Sequence, residues 1–205
     1  NKMSKIKENS GVLVQGHIKI HDPESGAVFV NKRNAIHYEN MSIALAESVA
    51  NAGQGFISSM AFGNGGTSVD PTGIITYLTP NSTGTNASLY NQTFTKIVDD
   101  RSVSNLDPQR NKIETRHVNG TNYTDVVVTC LLDYGEPNGQ DATDTASASD
   151  SLYVFDELGL TSYASSGTGK LLTHVIFHPV QKSLNRLIQI DYTVRVQSLT
   201  GFNEG

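Results

Sequence analysis

The chain contains no tryptophan and only one cysteine among its 205 residues. A single cysteine cannot close an internal disulfide, so the sequence excludes a disulfide-held scaffold. Cys130 lies inside the apolar run 125–133. Apolar surroundings raise the pKa of a thiol and leave it a poor nucleophile, so we predict a buried structural residue.

Long hydrophobic runs and positive charge are also scarce. No apolar run approaches eighteen residues and the first nine residues are mostly polar, so we expect a soluble protein with no membrane role and no signal peptide, folded in the cytoplasm. A net charge of −5 argues against nucleic acid as the main partner. Three lysines fall within residues 1–10, which we predict to form a flexible basic arm.

Glycine, serine, threonine and asparagine are abundant, as is typical of a β protein with many turns. The strongest strand signal is at the end of the chain, where apolar and polar residues alternate. Such alternation predicts a strand with one buried and one wet face. The apolar members are Ile188, Ile190, Tyr192, Val194 and Val196.

Two hairpins can be predicted from their turn residues. A turn at 22–26 joins strands at 12–20 and 27–30. Asn119-Gly120 predicts a type I′ turn between strands at 112–118 and 123–132. Further strands are predicted at 56–62, 74–78, 93–98, 155–160, 171–177 (ending in a break at Pro179) and 187–197.

One segment has helical rather than strand periodicity. Residues 41–52 are predicted to form a short helix, with Asn40 as its N-cap because a short polar side chain can accept hydrogen bonds from the first turn. Its apolar stripe would pack on the sheet and consists of Met41, Leu45 and Val49.

The predicted fold is mainly β: one antiparallel β-sandwich or barrel-like domain over residues 11–200, followed by a tail at 201–205. Two polar excursions, at 67–92 and 135–150, are too long for turns and too poor in apolar residues to pack as core. We expect these excursions and the arm to become ordered against neighbouring subunits.

Several motifs invite a chemical interpretation that their surroundings do not support. The stretch 166–170 (SGTGK) resembles a phosphate-binding loop, but Ala164 and Leu171 occupy positions where that motif needs Gly and Ser or Thr. Histidines spaced by four residues occur twice, and zinc would require both pairs to meet in space. These pairs are His17 with His21, and His174 with His178.

No coherent acid–base, nucleophilic or metal-binding set is present, so we assign no catalytic, cofactor-binding or metal-ligating residues and expect no enzyme activity and no cofactor. A lectin-like function is the main alternative among binding proteins, because sugar sites often use aromatic residues on loops. The candidates are Tyr77, Tyr90, Tyr123 and Tyr163.

A family resemblance joins several of these segments. The stretch 61–66 (AFGNGG) is followed by a loop-rich region, then by 155–160 (FDELGL), a Gly-rich turn, 178–183 (HPVQKS) and a closing strand that contains 190–194 (IDYTV). This order resembles small β-rich virion proteins of tailed bacteriophages. The family contributes no catalytic residues.

The resemblance implies a non-enzymatic structural component of the virion, made in the host cytoplasm and assembled in multiple copies with itself and with neighbouring virion proteins. The neck, collar or tail is the expected location. Capsid decoration and a fibre-attachment or receptor-binding role are the alternatives within this class. A carbohydrate-active enzyme is the alternative from a different class.

Overall fold

The computed structural model describes residues 8–138 and 152–202, which form one helix and eleven strands. The elements are β1 (Glu8–His21), β2 (Val28–Ile36), α1 (Tyr38–Val49), β3 (Ile57–Gly63), β4 (Thr67–Val69), β5 (Ile75–Tyr77), β6 (Gln92–Ile97), β7 (Lys112–His117), β8 (Tyr123–Leu132), β9 (Leu152–Ser162), β10 (Thr173–Ser183) and β11 (Ile188–Phe202).

Nine strands form one antiparallel sheet in the order β6-β3-β9-β10-β2-β1-β11-β8-β7, and β4 pairs with β5 as a separate hairpin. The sheet curls into a half-barrel. The main hydrophobic core fills the concave side, where residues of the sheet pack with Met41 and Ala44 of α1. The predicted mainly β, barrel-like fold with one short helix is therefore confirmed.

The closing strand has the predicted alternation. Ile188, Ile190 and Tyr192 are fully buried, while the polar residues between them are partly exposed. β11 lies between β1 and β8, and Ile190 is opposite Cys130. The Cys130 side chain is fully buried, and desolvation raises the pKa of its thiol to about 12, as expected for a structural cysteine.

The first predicted hairpin forms because Asp22 organises its turn. The Asp22 carboxylate accepts hydrogen bonds from the backbone N–H groups of Glu24 (2.8 Å) and Ser25 (3.1 Å). Gly26 follows at φ 77°, a conformation that costs glycine little. The returning strand continues to Ile36, well beyond the predicted end at residue 30.

The second hairpin exists, but the predicted type I′ turn is wrong. That turn requires positive φ at both central residues. Gly120 is at φ 87°, whereas Asn119 stays at negative φ. The strands end at His117 and Tyr123, and the loop between them is closed by a 3.1 Å hydrogen bond from the Thr121 N–H to the Val118 carbonyl.

The helix begins and ends earlier than predicted, and Asn40 is not its N-cap. His37 has an extended backbone, and its ring Nδ1 accepts a hydrogen bond from the Asn40 N–H at 3.1 Å. Because Nδ1 accepts, the ring proton is on Nε2, which donates to the Gly84 carbonyl at 2.8 Å. Histidine is a rare cap, so the sequence pattern pointed to the more common asparagine.

Asn40 and Val49 also differ from prediction. Asn40 is fully buried in the first turn and donates to the Leu171 carbonyl at 2.9 Å, which ties α1 to the start of β10. Val49 is 89% exposed and takes no part in the core. The apolar contact of the helix is therefore shorter than the predicted stripe, with Met41, Ala44 and Leu45 as its members.

Pro179 does not end a strand. β10 continues to Ser183, and its pairing with β9 shifts register between Ile176 and Val180. A bulge tolerates proline because the residues in it are not all needed as hydrogen-bond donors. The predicted excursion at 67–92 holds two short strands, β4 and β5, where the sequence predicted one.

Polar residues close the open side of the half-barrel, between the two ends of the sheet order at β6 and at β7 with β8. Lys96 of β6 donates to the Leu131 carbonyl and to the Glu136 carboxylate, the latter at 2.6 Å. Asn111 is fully buried and its side-chain oxygen accepts from the Leu131 N–H at 2.9 Å. Asn105 donates to the Asn111 carbonyl at 2.9 Å. We call Lys96, Asn105, Asn111, Leu131 and Glu136 the polar seam.

Parts of the predicted arm, excursion and tail lie outside the described residues, namely 1–7, 139–151 and 203–205. Residues 8–10 of the predicted arm belong to β1 and 201–202 of the predicted tail belong to β11, and 8–9 pair with 201–202. Within the described ranges, no helix is both long enough and apolar enough to cross a membrane.

Candidate functional site

The most polar buried site surrounds Glu157 in the middle of β9. Glu157 is fully buried, and its carboxylate accepts four hydrogen bonds. Three come from the backbone N–H groups of Asn91 (2.8 Å), Tyr90 (3.0 Å) and Gly65 (3.2 Å). The fourth comes from the His174 ring at 2.8 Å.

The hydrogen bonds of His174 fix its tautomer. The Asn81 N–H donates to its Nδ1 at 2.8 Å, so Nδ1 carries a lone pair and Nε2 carries the proton. The Nε2–H group therefore donates to Glu157. The His174 side chain is fully buried, and the ring of Tyr90 lies 5.5 Å from its own.

Asp156, the neighbour of Glu157, is buried and holds the same loop from the other face of the strand. Its Oδ1 accepts from the Gly66 N–H at 2.9 Å. Its Oδ2 accepts from both the N–H (2.9 Å) and the hydroxyl (2.5 Å) of Thr67.

These contacts make the acidic pair an anchor for the loops that follow β3 and β5. Burial raises the pKa of Glu157, but the hydrogen bonds from His174, Asn91 and Tyr90 outweigh it and leave the pKa lowered. A carboxylate that stays ionised and accepts from four donors is suited to hold backbone in place, not to transfer a proton.

Sequence reasoning missed this site because the Asp-Glu dipeptide was read only as part of a strand. A signal was available: two adjacent acidic residues interrupt an otherwise apolar strand, and buried carboxylates need donors. Their partners are far apart in the chain, since Asn91 and Glu157 are separated by 66 residues.

The two histidine pairs occupy different environments. His174 is buried against Glu157, whereas His178 is exposed beside Pro179. His17 is exposed, and His21 bonds to Asp191 at 2.8 Å. Among residues 8–138 and 152–202, no three histidine, cysteine or acidic side chains come close enough to hold a metal ion.

Residues 167–170 of the stretch 166–170 line one side of a cleft of about 640 Å³ on the outer face of the sheet. The stretch lies in a strand–turn–strand connection between β9 and β10, not in the strand–loop–helix setting of a phosphate loop. The cleft is also lined by β3, β6, β9 and the loop at 85–89. We call it the polar groove, and its hydroxyl and amide residues include Ser59, Asn86, Ser88, Gln92, Thr95, Thr161 and Thr168.

The four candidate tyrosines fall in different places, and one lines the polar groove. Tyr163 is 41% exposed there, and its ring stacks on Phe56 at 4.9 Å. Tyr90 packs beside His174, and Tyr123 lies under the Arg195 guanidinium at 3.9 Å. Tyr77 is half exposed on β5.

A second candidate surface is the end of the sheet where β1 and β11 extend beyond their neighbours. β2 pairs with β1 only from Gly16 onward, and β8 pairs with β11 only as far as Gln197. Residues 8–15 pair with 195–202, and we call this pair of segments the terminal ribbon; its outer part, 8–12 with 198–202, projects as two strands beyond both neighbours. In the part of the chain that the structure describes, no strand pairs with residues 8–15 on the side opposite β11.

The terminal ribbon has apolar side chains on both faces. Val12, Val14 and Val196 share the face that continues into the core, and Leu13 and Leu199 share the other. Val12 is 61% exposed and Leu199 is 42% exposed. Val196 also lines an apolar cavity of about 240 Å³ between α1 and the sheet.

Comparison of the chain with protein-family models, with curated proteins and with solved structures returned no match. The fold defines the protein as an antiparallel half-barrel, and its two described surfaces are the terminal ribbon and the polar groove.

Proposed function

We propose that the protein is a non-enzymatic structural component of a tailed-phage virion that assembles in multiple copies. The neck, collar or tail is the leading location, with capsid decoration and a fibre-attachment or receptor-binding role as alternatives. Two observations support the proposal: the resemblance at 61–66, 155–160 and 178–183, and the terminal ribbon, which is the single structural feature that carries the argument for assembly.

Within the described residues, the free edge of the terminal ribbon at 9–15 lacks the features that usually protect an edge strand. Edge strands are usually blunted by charge, proline or a bulge, because an open edge pairs with other chains. β7, at one end of the sheet, follows this rule with Lys112, Glu114 and Arg116. Residues 9–15 contain no charge and no proline.

The partner that fits this edge is a second copy of the chain. An uncharged strand can lie antiparallel to its own copy around a twofold axis without placing like charges opposite each other. Such pairing supplies backbone partners for residues 8–15. It also covers the apolar side chains of Val12 and Leu13, which a two-stranded ribbon alone cannot bury.

The assembly can be tested with one charge placed on the ribbon. Val12→Lys puts a cation on the face of the pairing edge, and Val69→Lys is the matched control because Val69 is 62% exposed on β4, outside the ribbon. Sedimentation velocity should show a wild-type species at a multiple of 22.1 kDa. Val12→Lys should shift it to the subunit mass, whereas Val69→Lys should not.

A wild-type protein that sediments as a monomer at every concentration would contradict assembly through the ribbon. Equal effects of the two variants would contradict the choice of surface. Circular dichroism of both variants checks that the fold is retained.

The virion location is tested by mass spectrometry of gradient-purified particles. We expect the chain at a fixed number of copies per particle. Absence from particles, combined with turnover of a polysaccharide by the purified protein, would instead favour the carbohydrate-active enzyme. The carboxylates of Asp156 and Glu157 argue against that alternative, because both already accept hydrogen bonds from backbone N–H groups of the loops.

A further inference from the structure

The polar groove combines an apolar floor with a hydroxyl-rich wall. Ala61, Leu89 and Leu171 form a small buried cluster beneath it, with Ala87 packed alongside. Ser59 and Thr161 are opposite each other on β3 and β9 and point outward, because their neighbours Met60 and Leu160 point into the core. This mixture offers both hydrogen-bonding groups and apolar contact surface.

Lys170 gives the groove a positive charge. None of the described residues that line the groove is acidic. Among the described residues, no carboxylate forms an ion pair with the Lys170 ammonium. The side chain is partly buried at the end of the 166–170 turn, whose backbone is tied to β9 by a 3.1 Å hydrogen bond from the Lys170 N–H to the Ser162 hydroxyl.

Tyr163 gives the groove a rigid aromatic wall. Its ring is stacked on Phe56 with an interplanar angle of 7°, and Arg101 lies 5.9 Å from the Phe56 ring. The Tyr163 N–H donates to the Phe56 carbonyl at 2.7 Å. An aromatic side chain held in this way presents contact area with little entropy left to lose on binding.

We propose that the polar groove binds an acidic saccharide, with Lys170 pairing with its carboxylate and the hydroxyl and amide side chains bonding its ring hydroxyls. The C–H groups of a pyranose suit the apolar floor and Tyr163, and its hydroxyls suit side chains that both donate and accept. The volume of about 640 Å³ lies within the usual range of ligand sites. This binding site goes beyond the proposed assembly role and does not depend on it.

The test is a titration of the isolated ¹⁵N-labelled protein, followed by amide chemical shifts. The probes are a glucuronic-acid-containing oligosaccharide, a glucose oligosaccharide of the same length, and inorganic phosphate. Lys170→Met removes the charge and keeps most of the stem. Lys19→Met is the matched control, since Lys19 is also partly buried but lies on β1, outside the groove.

We expect the acidic oligosaccharide to shift amides of 85–89 and 161–170 and to bind more tightly than the neutral one. Lys170→Met should weaken binding of the acidic probe roughly tenfold and leave the neutral probe unchanged, because it removes one charge-assisted bond. Tyr163→Leu should weaken both probes, and Lys19→Met neither.

Three outcomes would overturn the proposal. The first is that neither saccharide shifts the groove amides at millimolar concentration. The second is that the acidic and neutral saccharides bind with the same affinity, in wild type and in Lys170→Met alike, and the third is that phosphate alone gives the same shifts. None of these results bears on whether the protein is found in particles or assembles through the ribbon. Failure of this site and failure of the proposed function are therefore distinguishable.

Discussion

At the scale of single residues, Glu157 is the clearest case of a buried charge that is fully hydrogen-bonded. Its partners are all N–H donors, so they fit a carboxylate and do not fit the amide group of glutamine. Glutamine keeps one acceptor oxygen and replaces the other with an NH2 donor, so two of the four N–H groups lose their partner in a buried site, where desolvation is costly.

We therefore predict that Glu157→Gln lowers the free energy of unfolding by about 2–4 kcal/mol. Glu114→Gln on β7 is the control, since Glu114 is partly exposed and solvent screens its ion pairs, and it should change stability far less. Urea unfolding of both variants measures the difference. Equal effects would show that burial of Glu157 contributes no extra stability.

The pH dependence of this contribution follows from the direction of the pKa shift. The pKa of Glu157 is lowered on folding below its ordinary value of 4.5. The folded state therefore favours the ionised form, and its stabilisation is present above that value and is lost as the pH falls further. We expect wild type and Glu157→Gln to converge in stability in acid.

The pKa of Lys182 is also lowered on folding, so its effect on stability has the same sign as that of Glu157 but falls in the alkaline range. The residue is 1% exposed, and its ammonium donates to the backbone carbonyls of Asp133 (2.9 Å) and Ser183 (2.8 Å). Burial lowers its pKa from 10.5 to about 8. Between these values the unfolded chain binds more protons than the folded one, so stability rises with pH.

We predict that the wild-type free energy of unfolding increases between about pH 8 and 10.5 relative to Lys182→Met, by on the order of 2 kcal/mol. The variant lacks the titrating group, so the difference between the two curves isolates Lys182 from other groups. Parallel curves over this range would contradict a lowered pKa.

At the scale of elements, α1 depends on a cap from His37, the residue between β2 and the helix. His37 accepts from the first turn with one ring nitrogen and donates to the Gly84 carbonyl with the other. It therefore joins the start of the helix to the long excursion. Loss of the ring removes both contacts at once.

We predict that His37→Ala destabilises the protein by about 1–3 kcal/mol, and that His37→Asn recovers part of the loss because asparagine is a good N-cap. His17→Ala is the matched control, since His17 is exposed on β1. Thermal unfolding of the three variants gives the order. If His37→Asn is no better than His37→Ala, the cap is not the source of the effect.

Elements that are determined by residues close together in the chain could be predicted from the sequence. The alternation at 188–196 and the turn at 22–26 depend on residues close in the chain, and both are present in the structure. The identity of strand neighbours is not local: β10 pairs with β2 through Thr173 and His174 alone. A period of two shows which face of a strand is buried but not which strand lies beside it.

The candidate sites could not be predicted from the sequence for the same reason: each combines segments that are far apart in the chain. The polar groove draws residues from 58–59, 85–95 and 161–171, and the Glu157 site draws on 65, 90–91 and 174. Each segment alone reads as an ordinary loop or strand. Tyr163 was a candidate from its loop position, but its stacking on Phe56 depends on tertiary packing.

At the scale of the whole molecule, the half-barrel stays closed through the polar seam instead of through a continuous ladder of strands. Lys96 is the one cation of the seam, and it bonds to both the Leu131 carbonyl and Glu136. The first contact joins β6 to β8, and the second joins β6 to the segment that follows β8. Their loss should loosen this side of the molecule first.

We predict that Lys96→Met destabilises the protein by about 2 kcal/mol and speeds amide hydrogen exchange in β6 and in 105–111 more than in β1 and β11. Lys112→Met, at an exposed ion pair on β7, should leave exchange there close to wild type. A uniform increase across the sheet would show that the seam is not a separate region of low stability.

The pairing of Glu8 with Phe202 has a consequence for the connectivity of the chain. Because the two ends of the described fold lie side by side, a short Asn-Gly linker could join them as an ordinary hairpin turn. The break could then be moved to the exposed loop near Val103, which is fully solvent-accessible. We expect such a circular permutant to keep the same sheet, since no strand would be cut.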